Sequence, residues 1–338
     1  MAWYSVKASD ADVVFSSRIR LARNLSGYAF DKRLTSDKAR EIIQRTKEAL
    51  GSEYVHTDME ALSPTKAASL AEQHLISRDF ANASGPRALL SNENKSVHVM
   101  VCEEDHIRVQ CILPGLALHD AYRFAIECDD ALDAALPIAF DDKLGYLTHC
   151  PTNLGTGLRA SVMLFLPALT EAGMIAPLAQ KLTKLGLTMR GVYGEGSRSA
   201  GCLYQISNQV TLGRSEEETI AKLEEALQTV IQKERALREN VTGEAAEHRA
   251  DRIHRAEGIC RYATLLSSEE FFRLFTDLKL GISLGELPTL SHEALHTMLI
   301  NAMPATLSLC EQSEPKSAIE RDRARASFIK KAMEVSRV

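Results

Sequence analysis

Between residues 12 and 21 apolar and polar positions alternate, with Arg18 and Arg20 on one side and Ile19 and Leu21 on the other. Alternation of period two predicts a strand, so two guanidinium groups project from one face of a sheet. Helical spacing follows over about residues 35–83, broken at Ser63 and Pro64. Residues 97–101 and 107–112 alternate like the two strands of a hairpin, whose connection is the polar tetrad Glu103, Glu104, Asp105 and His106. Carboxylates are thereby presented at a strand end. A further strand over 161–166 is entered through a glycine-containing turn at 150–157, with Arg159 at its start. Residues 191–201 hold four glycines and read as a mobile loop before a strand at 203–207. Ser215 and Glu218 have capping-box spacing, and the apolar stripe Ile220, Leu223, Leu227, Val230 and Leu237 predicts a helix that packs on a sheet face. Past about residue 240 strand patterns cease, and 248–265, 268–277, 291–309 and 316–335 read as helices. The fold class is therefore α+β, with a helical C-terminal domain beginning between residues 240 and 248.

Composition narrows the possible chemistry. With 338 residues, 45% hydrophobic and 25% charged, the chain can bury a large core. A formal net charge of -5 supplies no global basic field, so nucleic acid is not an expected partner and any polyanion must meet a local arginine cluster. The first 15 residues lack a signal-peptide pattern, and no run approaches the roughly 18 apolar residues that span a bilayer. The expectation is a cytoplasmic protein without membrane contact. Seven cysteines, none in a CxxC pair, suit a reducing compartment.

Arg18, Arg20, Arg108, Arg159 and Arg190 all lie at predicted element ends or beside glycines. Their forked donors match phosphate oxygens, and several converging would neutralise a triphosphate. The chain has no GxxxxGK[ST] loop and neither the HRD nor the DFG motif of protein kinases, which leaves an arginine-based nucleotide site. Cys150, at its turn near arginines, is a second candidate for reactivity. His106, His149 and His98 read as structural.

The strings Ser16-Ser17-Arg18-Ile19-Arg20-Leu21-Ala22-Arg23-Asn24, Glu103-Glu104-Asp105-His106-Ile107-Arg108, Cys150-Pro151-Thr152-Asn153-Leu154-Gly155-Thr156-Gly157-Leu158-Arg159 and Ile206-Ser207-Asn208 stand in the order of a known family. They closely resemble the ATP:guanido phosphotransferases, or phosphagen kinases, and with Arg190-Gly191-Val192-Tyr193-Gly194-Glu195-Gly196 they resemble that family's bacterial protein arginine kinase branch. The resemblance implies an antiparallel sheet flanked by helices, a short segment at 1–11, a catalytic domain at 12–242 and a helical domain at 243–338 with phosphoarginine-binding and oligomerisation roles. It implies that Ser17, Arg18, Arg20, Arg108, Arg159 and Arg190 bind ATP, with Mg2+ carried mainly on the phosphates and no metal site made of protein groups. Glu104 is implied as the catalytic carboxylate, Glu195 as a second clamp on the substrate guanidinium and Cys150 as an auxiliary residue beside it.

Two departures stand out: Cys102 replaces the family's usual asparagine, and Arg198 adds positive charge to the loop. The additional N-terminal helical domain of the metabolite kinases has no counterpart before residue 12, which suggests a site open to arginine on a polypeptide. The expected reaction is therefore transfer of the ATP γ-phosphoryl group to arginines of protein substrates, in quality control or stress response and as a mark for degradation. An activator protein, a Clp-type protease chaperone and a homo-oligomer are the implied partners. The alternatives are a small guanidino-metabolite kinase and an inactive phosphoarginine-binding adaptor. In the C-terminal helix, Arg321, Asp322, Arg325 and Ala326 match the branch's RDxxRA pattern, and the resemblance points to a phosphoarginine sensor there.

Overall fold

A computed structural model describes residues 2–30, 33–94, 96–192, 199–312 and 317–335. Its centre is an eight-stranded sheet in the order β2-β3-β4-β5-β1-β8-β10-β9, and all of its paired strands are antiparallel. The strands are β1 (Val14–Arg23), β2 (Tyr54–Asp58), β3 (Ala88–Asn92), β4 (Val97–Val101), β5 (Ile107–Pro114), β8 (Leu158–Phe165), β9 (Leu187–Gly191) and β10 (Leu203–Asn208), while β6 (Phe140–Asp141) and β7 (Gly145–Tyr146) form a separate ribbon.

Side-chain alternation gives the sheet two different faces. On one, Ile19, Leu21, Val109, Ala160, Val162 and Ile206 are fully buried in the larger apolar cluster. Helices α1 (Ser36–Leu50), α4 (Leu118–Ala135) and α7 (Glu216–Glu239) contribute Ile42, Ala121, Leu132, Leu223 and Leu227 to it. The anticipated capping box of α7 is present, Ser215 and Glu218 each satisfying the other's backbone N–H. On the other face, Phe15, Met163, Phe165 and Leu203 pack with α8 (Glu244–Tyr262), α9 (Ser268–Ser283), α10 (His292–Asn301) and α12 (Ala318–Val335). These C-terminal helices cover only part of that face. The polar remainder of the same face carries the arginines.

Three features differ from expectation. The stretch read as helical over 35–83 contains the edge strand β2 between α1 and α2 (Pro64–Glu72), and a short α3 (Arg78–Asn82) leads to the unanticipated β3. β2 is only half buried and carries His56 and Thr57, so its pattern is not that of a core strand. Helix α4 was missed because no side chain caps it from within. Instead the buried Ser17 hydroxyl accepts from the Ala117 N–H at 2.9 Å and donates to the Gly115 carbonyl at 2.8 Å. The helix expected over 291–309 is divided, since Pro304 starts a new helix, α11 (Pro304–Cys310), after α10 ends. Two short helices, α5 (Pro167–Glu171) and α6 (Ile175–Lys184), complete the set among the described residues.

Where the C-terminal helices meet the sheet, Lys279 of α9 is buried and donates to the Ala11 carbonyl at 2.6 Å and toward His296 Nε2 at 2.8 Å. Burial pushes the Lys279 ammonium down to about 7 and His292 down to about 4, with the neighbouring positive charges adding to each. Burial and the same ammonium hold His296 well below its usual range. In the unfolded chain both imidazoles take up a proton near pH ~6.5, whereas in the fold they stay neutral. The unfolded state therefore binds more protons, and these two histidines make stability fall as pH drops from about 6.5 toward 4. By the same sign Lys279 makes stability rise between pH 7 and about 10. Thermal melts across pH 4 to 10 should show both trends, and His292→Gln should flatten the acid limb.

Candidate active site

The antiparallel register brings the arginines together. Arg20 of β1 stands directly opposite Arg159 of β8, Ala22 opposite Arg108 of β5, and Gln205 of β10 opposite Arg190 of β9. All four arginines line one cleft of about 360 Å³, together with Glu104, Cys150, Thr152, Asn153 and Gln205. Like charges facing each other across strands repel. The titration behaviour agrees: burial first and then the neighbouring guanidiniums pull Arg20 well below its ordinary range, and Arg159 is lowered in the same way. Arg159 donates to Ser207 at 3.1 Å, but the Nε atoms of Arg20 and Arg159 are buried without any partner. Buried donors left unsatisfied are costly, and oxygens of a polyanion in the cleft would satisfy them.

Beside Arg108 the cleft is bordered by the acidic turn between β4 and β5. Cys102 has φ +62°, a left-handed conformation that asparagine tolerates better than most residues. The substitution leaves the turn closed, with Cys102 N–H donating to the His106 carbonyl at 2.8 Å. Asn24, at the end of β1, fixes the turn from the side. Its amide donates to Asp105 Oδ1 at 2.6 Å and to the Leu147 carbonyl at 2.9 Å, and its oxygen accepts from His106 N–H at 2.9 Å. Asp105 Oδ1 also accepts from His149 N–H at 2.7 Å, tying the 150–157 turn to the acidic one. Glu103 is spent on Ser77 and on Arg108, at 2.7 and 2.6 Å. Glu104 is half exposed and accepts from Arg108 Nη2 at 2.9 Å. Glu104 thus already carries a guanidinium, and it is the protein's own.

The remaining site residues fall into several places. Cys150 lines the cleft, with Sγ 3.0 Å from Thr152 Oγ1. Arg18 stands one layer behind, donating to Gln205 Oε1 at 2.8 Å, and burial followed by Arg159 and Arg108 lowers it to about 10. Ser17, expected to bind nucleotide, is instead buried on the α4 face of β1, where it caps α4 as described. Strand alternation required that placement. Glu195 and Arg198 lie outside the described residues. His106 is structural: its Nδ1 accepts from Leu25 N–H at 3.1 Å and its Nε2 donates to the Ala29 carbonyl at 2.9 Å.

Sequence reasoning assigned no role to Arg23, Asp129 or Asn24. Buried Arg23 binds Asp129 through Nε and Nη2, at 3.1 and 2.6 Å, and donates to the Thr156 carbonyl at 3.0 Å, which fixes the turn beside Arg159. That turn also needs its glycines, since Gly155 and Gly157 have positive φ and a Cβ on either would stand within 2.7 Å of neighbouring backbone oxygen.

On α12, Arg321 is exposed and Arg325 is not. The buried Arg325 donates to the Ala302 and Leu266 carbonyls and to Asp322, at 3.0, 2.9 and 2.9 Å, while Ala326 packs in the apolar cluster. The expected pair of ligand arginines is thus split in this form into one free to meet solvent and one holding helices together.

The arginine cleft and the carboxylate turn agree with comparison to known proteins. Residues 35–237 match the sequence model described as "ATP:guanido phosphotransferase, C-terminal catalytic domain". The chain belongs to the ATP:guanido phosphotransferase family. Residues 246–337 match the "Protein-arginine kinase McsB C-terminal domain". Within the family the chain is 43% identical over 343 residues to the protein-arginine kinase of Syntrophomonas wolfei, covering 99% of this chain and 95% of that one. It is 39% identical over 339 residues to the protein-arginine kinase of Moorella thermoacetica, covering 98% and 97%. Among solved structures, a duplicated taurocyamine kinase from Schistosoma mansoni with bound transition-state-analogue components matches with TM-score 0.63 at 27% identity, over 74% of this chain and 38% of that one. A lombricine kinase matches with TM-score 0.59 at 25% identity over 67% of each chain.

Because Arg159 is held against like charge, Arg159→Met should raise the melting temperature of the ligand-free protein. The same variant should weaken ATP binding about tenfold or more, the scale of a lost charge-assisted hydrogen bond. Calorimetry and nucleotide titration together check the opposite signs.

Proposed function

We propose that this enzyme transfers the γ-phosphoryl group of ATP to arginine guanidinium groups of protein substrates. The observation that carries the reading is one cleft lined by four arginines and by Glu104, which is paired to one of them. The triphosphate would lie against Arg20, Arg108, Arg159 and Arg190, with Arg18 supporting through Gln205. A guanidinium nitrogen of the substrate attacks the γ-phosphorus, the bond to the ADP oxygen breaks, and the proton lost by the nitrogen passes to Glu104. Cys150 at the cleft wall and Glu195 on its loop would complete the seat of the substrate. Positioning and charge stabilisation supply the catalysis, without a covalent enzyme intermediate. Among the described residues no group of three or more His, Cys, Asp or Glu is arranged to hold a metal. The donor set of arginines with one carboxylate suits magnesium that arrives on the phosphates of ATP, the chemistry it supplies there being charge neutralisation.

Arg108 gives this site a built-in order. Its guanidinium sits on Glu104 in the manner of a substrate, and triphosphate oxygens compete for it. Nucleotide binding would release Glu104 for the incoming arginine. A metabolite kinase would use the same chemistry, and the names of the curated relatives favour a protein substrate. An inactive adaptor has no need of both halves of the site. The resemblance alone supports the cytoplasmic setting, homo-oligomer, activator protein, stress-linked quality control and Clp-type chaperone that would read the mark.

Incubation with γ-labelled ATP and an unfolded protein should give acid-labile label on protein, and label on free arginine alone would overturn the reading. Glu104→Gln should lower turnover about 100-fold or more with ATP binding retained.

The RDxxRA helix is proposed as a phosphoarginine sensor, with exposed Arg321 meeting the phosphoryl group. Arg321→Ala should remove any effect of free phosphoarginine on activity or assembly at unchanged melting temperature. Arg325→Ala should instead destabilise the fold, by about 3 kcal/mol or more, since it leaves two buried carbonyls and Asp322 without their donor.

A further inference from the structure

A second cleft, of about 270 Å³, lies across the acidic turn from the arginine cleft. Its walls come from the start of α1 (Leu34, Ser36, Ala39), the turn Ser84-Gly85-Pro86, and the acidic turn itself from Cys102 to His106. Glu104 lines both clefts, so the two spaces share that carboxylate as a common wall.

Their electrostatics are opposite. The first holds four arginines and one carboxylate, whereas the second is lined by Glu103, Glu104 and Asp105 and by no lysine or arginine. His106, its one imidazole, adds no charge near neutral pH, because burial lowers it and its Nδ1 is held as an acceptor. Asp105 adds an independent observation. It is 2% exposed; its Oδ1 is taken by Asn24 and His149, and its Oδ2 is buried with no partner at all. A buried carboxylate oxygen without a donor is costly, and a cationic N–H donor in the cleft would satisfy it. A metal ion is not the fit, since no metal-holding group of His, Cys, Asp and Glu occurs among the described residues. Leu34, Ala39 and Pro86 instead offer apolar surface of the kind that covers the methylene stem of a long basic side chain.

We infer that this acidic cleft is the polypeptide-side subsite of the enzyme, seating the chain around the target arginine and selecting substrates with a second basic residue beside it. The target guanidinium reaches Glu104 in the arginine cleft beside ATP, while the flanking chain lies over the acidic side of the turn. The neighbouring lysine or arginine places its stem on Leu34 and Pro86 and its charge among Glu103, Asp105 and the open carboxylate field. Release of Arg108 to the phosphates takes positive charge from Glu103 as well as Glu104, so the subsite becomes more acidic when nucleotide is bound. This inference rests on the protein-substrate reading and adds to it a preference.

Steady-state kinetics on peptides with one phosphorylatable arginine, flanked by either lysine or glutamate, test it with the full-length enzyme. The lysine-flanked peptide should have a kcat/KM about tenfold higher, carried by KM, the factor that corresponds to 1.4 kcal/mol. Ser84 is exposed at the cleft rim and outside the reacting groups, so Ser84→Lys and Ser84→Asp change the field without touching the chemistry. Ser84→Lys should raise KM for the lysine-flanked peptide about tenfold and Ser84→Asp should lower it, both with KM for ATP unchanged. Peptide phosphorylation without preference, or with a preference that neither Ser84 variant moves, overturns the subsite while leaving the enzyme reading in place. A wild-type enzyme that labels no peptide or protein overturns both.

Discussion

Repulsion among guanidinium groups is the constraint around which this protein is arranged. Arg20 and Arg159 are cross-strand neighbours, with Arg108 on the adjacent β5 and Arg190 two strands from Arg159 on β9. Each facing pair of like charges on a sheet costs roughly 0.2–1 kcal/mol, and the burial that depresses Arg20 and Arg159 adds to it. What holds the strands in register is the other face. Ile19, Leu21, Val109, Ala160 and Val162 alternate with those arginines and are fully buried under α4 and α7. A slip of one residue would exchange the two sets, driving guanidiniums into the core and Val, Leu and Ile to the cleft. The apolar ladder thus fixes the functional one, and the strain that remains is directed at the space a triphosphate would fill.

A second level of organisation acts through neutral and paired groups. Asn24 has no reactive role, yet its single amide bridges the acidic turn and the strand that carries Arg18 and Arg20. Asp105 continues the link to the turn at 150–157, and Arg23 with Asp129 closes it from below. A buried ion pair contributes little net stability unless its remaining donors are used. Here Arg23 spends Nη1 on two carbonyls, so the pair positions backbone as well as balancing charge. The consequence is that Glu104, Cys150 and Arg159 sit on two turns and the start of β8 that are braced against each other, and their separation does not depend on loop stiffness alone.

Much of this arrangement could be read before any coordinates, for a definite reason. β1, β5 and β8 show their alternation where Arg18, Arg20, Arg108 and Arg159 stand opposite in face to Ile19, Leu21, Val109 and Ala160, and α7 announces itself through Ser215 and Glu218. β2 was hidden by its edge position and α4 by a cap supplied from Ser17, ninety-eight residues or more away in sequence from its two contacts at Gly115 and Ala117. That same contact holds the Ser17 side chain on the α4 side of β1. The arginine set was legible as residue types, and the resemblance singled out Glu104, but no local pattern reports that Arg108 rests on it. Nor does an Arg-Asp-x-x-Arg string reveal that Arg325 turns inward to two carbonyls while Arg321 stays outside. Burial of a charge is decided by distant backbone, and spacing along one helix does not contain it.

Arg108 joins the two halves of the chemistry, and the coupling follows from charge conservation within a small volume. Its guanidinium lies 2.6 Å from Glu103 and 2.9 Å from Glu104, and it lines the same cleft as Arg20, Arg159 and Arg190. This one cation screens both carboxylates, so under the proposed reaction a substrate guanidinium would compete against an internal copy of itself. Polyphosphate shifts the balance, because a forked donor facing a multiply charged acceptor gains more than it loses by leaving two partly solvated carboxylates. A coupling between binding sites must be mutual: whatever nucleotide does for arginine binding, arginine does equally for nucleotide. Under the proposed reaction, a guanidinium arriving on Glu104 would displace Arg108 toward the cleft, where it would strengthen the phosphate cradle. Assembly of the reacting pair would therefore be favoured over either half alone, which would limit how often ATP waits in the cleft with no acceptor but water.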